Sequence, residues 1–511
     1  MAKGKPYWPL ITLLASVKFV LPFLFIAPEF ELQRDEFLYY QQGLHLDFGY
    51  LENPPLLSYL ATISRFLGGT EFSVKFWPAL IGAATLIIAC LMCAEFEGKR
   101  FAQFLTGIGI ITGAFLRIHA LFQPNILDIF FWSLSVYFLL CYLKTFNQKF
   151  LYSFAIALAL GFWSKYSIMF LMMALALGIL LTSNRRLFLK SSTYKALTVT
   201  VILIVPNLWW QYKHNFPLIH HMQELQQTQL QFLNPLDFLK DQLLFLLPVV
   251  FIWIAGLIWL FRQKTFRVFA WAYVFVIILL LFGRGKSYYS MGIYPVLIAA
   301  GATVWEKIST KQWLRYVIVI FILIVTIAFA PLLLPLWQPA KLASFYHRTG
   351  VAKTGLLKWE DQRDHLLPQD FADMLGWKEL TQKTEAIYDG LPDSVKSNTL
   401  IYCRNYGQAG ALKFYGKDPR FRAVTISDNG SFLLWIPDKL LFKYLFFIGR
   451  RFPEKDDKVF QHFKKVTFID SVKNVYSRQN GDKIFFFQDI DSAGLQLAQS
   501  GVQELKAEFK R

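Results

Sequence analysis

Charge and cysteine are both scarce in this sequence. Asp, Glu, Lys and Arg make up only 17% of its 511 residues, below the roughly 25% of an ordinary soluble domain. Of its four cysteines, Cys90, Cys93 and Cys141 lie inside apolar runs and Cys403 stands alone, which excludes a disulfide scaffold. The spacing Cys90-x-x-Cys93 is that of a soluble redox motif, but in an apolar helix two small residues three apart serve packing. No internal repeat and no low-complexity segment is present. Acids are rarest in the first two thirds, where fourteen precede residue 340 and seven of these fall between Glu29 and Glu71.

What is abundant is apolar: 55% of the residues are hydrophobic, 51 are Phe, and mean hydropathy is +0.37. A soluble domain does not carry this, so the chain is a polytopic membrane protein. The net charge of +18 does not indicate nucleic acid, because before residue 341 the cations sit mostly in short loops between apolar runs, where they set orientation. The run from Tyr7 to Pro28 ends in no small-residue cleavage pattern and reads as a retained first helix. Eleven transmembrane spans are expected, at 8–28, 74–94, 101–118, 126–143, 150–163, 166–183, 197–212, 242–261, 267–283, 288–305 and 314–337. With the N-terminus inside, sixteen Lys and Arg fall in inner loops and eight in outer ones, as the positive-inside rule requires. The acid-rich first loop, about 29–73, is then external.

Pro331, Pro335 and Pro339 end the last span, and from Lys341 the composition is mixed-charge. Helical periodicity over Phe371–Asp389 precedes strand-like runs at Thr399–Cys403, Phe432–Ile436, Leu445–Ile448, Val466–Val472 and Lys483–Gln488. The expected organisation is a transmembrane domain over 1–340 and a soluble α/β or α+β domain over 341–511.

In the first outer loop, Asp35-Glu36 follows an apolar span and leads into Phe37, Tyr39 and Tyr40. Paired acids there are either helix-start charges stabilised by the dipole or a general base whose carboxylate is held in a partly desolvated cleft. Asp128 falls just inside a span, where a lone acid marks a paired or functional position. Lys165, Arg284 and Lys286 are unusual outer-side cations, serving either as interface anchors or as a site for a phosphate. His220 and His221 lie in the long loop between Tyr212 and Lys240, as surface residues or as ligands of a divalent ion.

Five segments, read in order, carry a resemblance: Arg34-Asp35-Glu36-x-x-Tyr39-Tyr40, Gly49-Tyr50-x-Glu52-Asn53-Pro54-Pro55, Pro124-x-x-x-Asp128, Gly161-x-x-x-Lys165-Tyr166 and Lys286-x-Tyr288-Tyr289. Over residues 8–305 the chain resembles the GT-C membrane glycosyltransferases of the protein O-mannosyltransferase and lipid A aminoarabinose transferase superfamily. The tail, with Asn405-Tyr406-Gly407-Gln408-Ala409-Gly410-Ala411, is similar to the periplasmic domains of bacterial members. The resemblance implies an inverting transfer of a sugar from a polyprenyl-phosphate carrier to a lipid, glycan or protein acceptor. The place would be the outer face of a bacterial inner membrane, with the N-terminus cytoplasmic and the tail periplasmic.

By the same resemblance Asp35, Glu36 and Asp128 are the catalytic acids. Tyr39, Tyr50, Asn53, Lys165, Arg284, Lys286, Tyr288 and Tyr289 bind substrate, and Glu52 with His221 holds a divalent metal. No nucleotide cofactor is implied. One position departs from the pattern: many relatives place the second acid directly after the proline, where this chain has Asn125. The alternative class is a transporter or flippase of a lipid-linked anion, for which charged residues along a path through several spans and two-half symmetry would be expected. The sequence has neither.

Overall fold

The structure is a computed structural model, and it describes residues 4–228, 234–453 and 458–511. Lys3, one of the sixteen inner cations, lies outside the described residues. Among those described, four helices are long and apolar enough to cross a membrane: Trp8–Phe25, Glu71–Glu95, Pro124–Thr145 and Gln312–Leu333. Six spans result if the bent pairs Ile168–Leu180 with Ser183–Leu189 and Pro235–Leu244 with Leu247–Arg262 each count as one.

The expected eleven continuous spans are therefore not all reproduced, and the breaks have local causes. The expected span 101–118 stops as a helix at Ile111, because Gly113 takes φ 62° and Ala114 N–H donates to the Phe245 carbonyl at 2.7 Å. A Cβ at Gly113 would strike that same carbonyl, so only glycine serves there. The expected span 288–305 starts as a 3-10 turn over Ser287–Ile293 before the helix Tyr294–Ile308.

Helices Val250–Arg262 and Tyr294–Ile308 touch backbone to backbone, Gly256 against the Leu297 carbonyl and Gly301 against that of Ile252. Lipid gives helices no hydrophobic gain on pairing, so close approach of small residues supplies the attraction.

The C-terminal region builds one sheet of β1 (Thr399–Cys403), β2 (Thr425–Ile426), β3 (Tyr444–Gly449), β4 (Phe463–Ser471) and β5 (Lys483–Ile490), in the order β2-β1-β3-β5-β4. β1 runs parallel to both β2 and β3, while β5 is antiparallel to β3 and β4. The expected strand at Phe432–Ile436 is a 3-10 helix, Gly430–Trp435. The expected helix Phe371–Asp389 is two pieces, Gln369–Ala372 and Trp377–Asp389, with Gly376 at φ 86° beginning the second. A left-handed glycine ends one helical register and frees the next.

This region sits on the first loop. Helix Arg34–Gln42 packs on helix Tyr406–Tyr415 so closely that a Cβ on Gly410 would lie 2.6 Å from that of Phe37. Phe37 also meets Trp377 edge-on at 5.5 Å. Around this apolar centre Lys378 pairs with Glu71 at 2.7 Å and Arg117 with Asp370 at 2.7 Å. The Glu31 carboxylate accepts from Trp377 N–H at 2.8 Å and Lys378 N–H at 3.0 Å.

Orientation is open to direct measurement. On a background without native cysteines, Cys at the exposed position 284 is expected to react with an impermeant thiol reagent added outside, and Cys at the exposed position 264 is not. Labelling of position 264 from outside would reverse the topology.

Candidate active site

The acid-rich loop is sorted by what each carboxylate touches. Gln33 and Glu36 form a capping box that starts the helix Arg34–Gln42. Glu36 is wholly buried: its oxygens accept from Lys75 Nζ at 2.6 and 2.8 Å, from Phe122 N–H at 2.6 Å and from Gln33 N–H at 2.7 Å. With every lone pair engaged, Glu36 fastens the loop to helix Glu71–Glu95 and is not placed to take a proton from a substrate. Lys75 gave no sequence signal because it lies inside a span, where a cation is costly unless paired.

Asp35, one residue earlier, turns the other way. Its side chain keeps 25% of its surface accessible. Oδ1 accepts from Tyr406 O–H at 2.7 Å and faces Arg34 Nε at 3.2 Å, whereas Oδ2 has Gln123 Nε2 at 3.4 Å. The loosely held Oδ2 is the oxygen with room for an incoming hydroxyl. Burial first, then the Asp35 charge, pushes the Tyr406 phenol well above its ordinary range, so it stays a proton donor to the carboxylate.

From Asp35 a chain of polar side chains runs to a cation. Gln123 Oε1 accepts from Asn125 Nδ2 at 3.2 Å, and Asn125 Oδ1 accepts from Lys165 Nζ at 2.6 Å. Lys165 stands in extended backbone after helix Gln148–Ser164, its ammonium 4.0 Å from the Tyr289 ring centre and 5.2 Å from that of Tyr288. Asp128 is buried at 3% exposure in the first turns of helix Pro124–Thr145, and its Oδ1 has no hydrogen-bond partner. Its charged neighbour is Lys165, so Asp128 faces the lysine from inside while Asn125 holds it by hydrogen bond.

Lys286 completes the group. Burial draws its ammonium below the usual range, against the attraction of Glu360, Asp35 and Asp370. Burial also draws Lys165 below its usual range, with Asp128 opposing and Lys286 adding to the fall. Two partly buried ammonium groups in one another's field are each stabilised by an anion placed near them. Tyr39 and Tyr288 lie in the field of Asp35.

Other expected site residues sit elsewhere. Tyr50 is buried with its O–H donating to the Gln42 and His45 carbonyls at 2.9 and 3.0 Å. Asn53 is buried in a reciprocal amide pair with Gln42, at 2.8 and 3.2 Å. Both shape the loop and present no free donor or acceptor to a ligand. Arg284 is exposed, in a left-handed turn at φ 48°.

Glu52 and His221, the expected metal pair, have the following partners. Glu52 accepts from Ser431 N–H at 2.6 Å, Ser431 O–H at 2.5 Å and Gln42 Nε2 at 3.3 Å. The charged neighbours of His221 are Glu224 and Lys286, and among the described residues no three His, Cys, Asp or Glu side chains converge. Through Ser431, Glu52 clamps the C-terminal region to the first loop. Gly430, at φ 61°, lies so close to it that a Cβ would strike Glu52 Oε1. Gly430→Ala is expected to cost about 1–3 kcal/mol from the strained φ and the collision. Gly481→Ala, at φ 83° with open space around it, supplies the smaller, strain-only effect for comparison. Thermal unfolding of both variants decides it, and equal losses would count against the clamp.

Sequence reasoning missed Gln123, Lys75 and Ser431, and treated Asn125 only as a departure. For Ser431 no signal existed, since it meets Glu52 across 379 residues of chain.

The grouping brings together an accessible carboxylate at Asp35, hydrogen-bonded side chains from Gln123 to Lys165, and a second lysine, Lys286, in the field of Asp35. A family model described as dolichyl-phosphate-mannose-protein mannosyltransferase matches residues 52–210. The lipid A galacturonosyltransferase RgtD of Rhizobium johnstonii is 23% identical over 235 residues, or 42% of this chain and 47% of that protein. The chain thus spans about half the length of this curated relative. ArnT from Cupriavidus metallidurans, solved bound to undecaprenyl phosphate, has the same fold at a TM-score of 0.61 and 12% identity, over 95% of this chain and 98% of that one. Its apo form gives 0.58 and 11% identity, over 94% and 97%. The family model and the curated relative are both of glycosyltransferases, and the two ArnT structures show the same fold.

Proposed function

We propose that this protein transfers a sugar from a polyprenyl-phosphate carrier to a hydroxyl of a cell-envelope lipid, glycan or protein, at the outer face of the membrane and with inversion. The observation that carries the reading is the grouping of Asp35 with Lys165 and Lys286. A displacement at an anomeric carbon needs a base on one side and charge stabilisation for the leaving group on the other. Asp35 Oδ2 takes the acceptor proton as the acceptor oxygen bonds to the anomeric carbon. The carbon–oxygen bond to the carrier breaks, and its electron pair stays on the phosphate, whose charge Lys165 and Lys286 hold. A phosphate leaving group needs no proton, so no second acid is required, unlike glycoside hydrolysis.

ArnT, a protein of the same fold, was solved with undecaprenyl phosphate, which supports a carrier of that class here. The test is transfer by the purified chain from a synthetic polyprenyl-phosphate sugar to envelope extract, read by mass spectrometry as mass gained by an acceptor and release of free carrier phosphate. Carrier crossing a vesicle membrane without any product would identify a flippase instead.

A further inference from the structure

Gln123 is the residue that begins helix Pro124–Thr145, yet its side chain makes no cap to it. A residue at that place ordinarily gives its side chain to the exposed N–H groups of the first turn. Here the carboxamide turns instead to Gln33, Asp35 and Asn125, at 3.2, 3.4 and 3.2 Å. Gln123 is partly accessible, as Asp35 is.

The direction of every bond in this row is set by the groups at its two ends. An ammonium only donates, so Asn125 turns Oδ1 to Lys165 Nζ, at 2.6 Å, which leaves its Nδ2 to face Gln123. Gln123 then accepts through Oε1 and keeps Nε2 as a donor for the other side. There both partners are acceptors: Gln33 Oε1 already accepts from Asp35 N–H at 2.9 Å, and Asp35 Oδ2 is a carboxylate oxygen. The donor aimed at the proposed base is therefore held in that sense by Lys165, through Asn125.

The contact from Gln123 Nε2 to Asp35 Oδ2 is long at 3.4 Å. A hydroxyl oxygen fits beside it: about 2.8 Å from each atom, it accepts from Nε2 while its O–H donates to Oδ2. A hydroxyl has a single O–H and two lone pairs, so one lone pair remains for the anomeric carbon.

We infer that Gln123 orients the acceptor hydroxyl for transfer, and that the neutral amide of Asn125 keeps Gln123 in its donating sense while leaving the charge of Lys165 to the carrier phosphate. The inference rests on the transferase reading and adds to it the group that holds the acceptor oxygen. The hydroxyl proton passes to Asp35 Oδ2 as its oxygen bonds to the anomeric carbon, and the Gln123 N–H is not transferred. A carboxylate at position 125 would undo both roles. It would pair with Lys165 and, having no donor, would accept from Gln123 Nε2. Gln123 Oε1 would then be turned toward Asp35 Oδ2 and Gln33 Oε1, oxygen against oxygen.

The full-length chain in detergent is titrated calorimetrically with undecaprenyl phosphate, and transfer from a saturating polyprenyl-phosphate sugar to envelope extract is timed in parallel. Asn125→Asp preserves shape and gives Lys165 a stronger partner, so a residue that merely held the lysine in place would tolerate the change. The expected result is the opposite: undecaprenyl phosphate binding weaker by about tenfold or more and turnover lower by about a hundredfold, at an unchanged melting temperature. Gln123→Met keeps the length of the side chain and removes the donor. It should lower turnover by about tenfold while leaving undecaprenyl phosphate affinity within about twofold. Wild-type phosphate affinity in Asn125→Asp, or wild-type turnover in Gln123→Met, would overturn the inference. No transfer by the wild-type protein would fail the transferase reading, and with it the role of Gln123, whereas the titrations decide Asn125 without turnover.

Discussion

Turnover is expected to fall by about a hundredfold to ten-thousandfold in Asp35→Asn, the usual loss when one positioned base is removed. Asparagine keeps the shape of the side chain, and its carbonyl oxygen can still accept from Tyr406 O–H, which meets Asp35 Oδ1 at 2.7 Å. What disappears is the basicity of Oδ2, held only by Gln123 at 3.4 Å. Donor affinity should change little, because the carrier phosphate is assigned to Lys165 and Lys286. Steady-state kinetics with separate measurement of donor binding checks both halves. Wild-type product formation by the Asn variant would remove Asp35 from the role of base. Glu36→Gln separates position from chemistry: its neighbour Lys75 loses its counter-charge, so the variant should lose thermal stability, whereas Asp35→Asn should not.

The second large effect is at Lys165. Lys165→Met removes one of two cations on the departing phosphate, a loss comparable to deleting a single oxyanion donor, about a hundredfold to a thousandfold. It also leaves Asp128, 3% exposed and without a hydrogen bond on Oδ1, as a buried carboxylate with no cation. The two act on one another through their fields rather than through a direct ion pair, so the single variant is expected to lose some thermal stability as well as turnover. The double variant Lys165→Met with Asp128→Asn resolves the two contributions. Stability should return because no buried charge is orphaned, while donor affinity and turnover should stay low. Recovery of turnover together with stability would mean that Lys165 only neutralises Asp128 and does not meet the donor.

Both experiments depend on a distinction that adjacency in sequence hides. Asp35 and Glu36 are consecutive, and as sequence they form one acidic feature. On a helix, neighbouring side chains point about 100° apart, so one carboxylate faces the cleft and the other the helix Glu71–Glu95. The same holds for the loop as a whole. Seven acids between Glu29 and Glu71 suggest one catalytic island. In the fold, Glu31, Glu52 and Glu71 accept from Trp377, Ser431 and Tyr415 respectively, and so serve to seat the C-terminal region.

The sequence by itself determined that the protein is polytopic, because the apolar content and the spacing of runs admit no soluble core, and it carried the ordered motifs that include Asp35, Lys165 and Lys286. It also determined most of the strands of the C-terminal sheet, whose alternation is local. Tertiary structure alone decided which carboxylate is accessible, that Asn125 and Gln123 link Asp35 to Lys165, and that Glu52 is bound to Ser431 across 379 residues. The division has one physical cause. Hydrophobic periodicity is written along the chain, whereas the partner of a polar side chain is fixed by which backbone segments pack against it, and a run of residues holds no record of that distance.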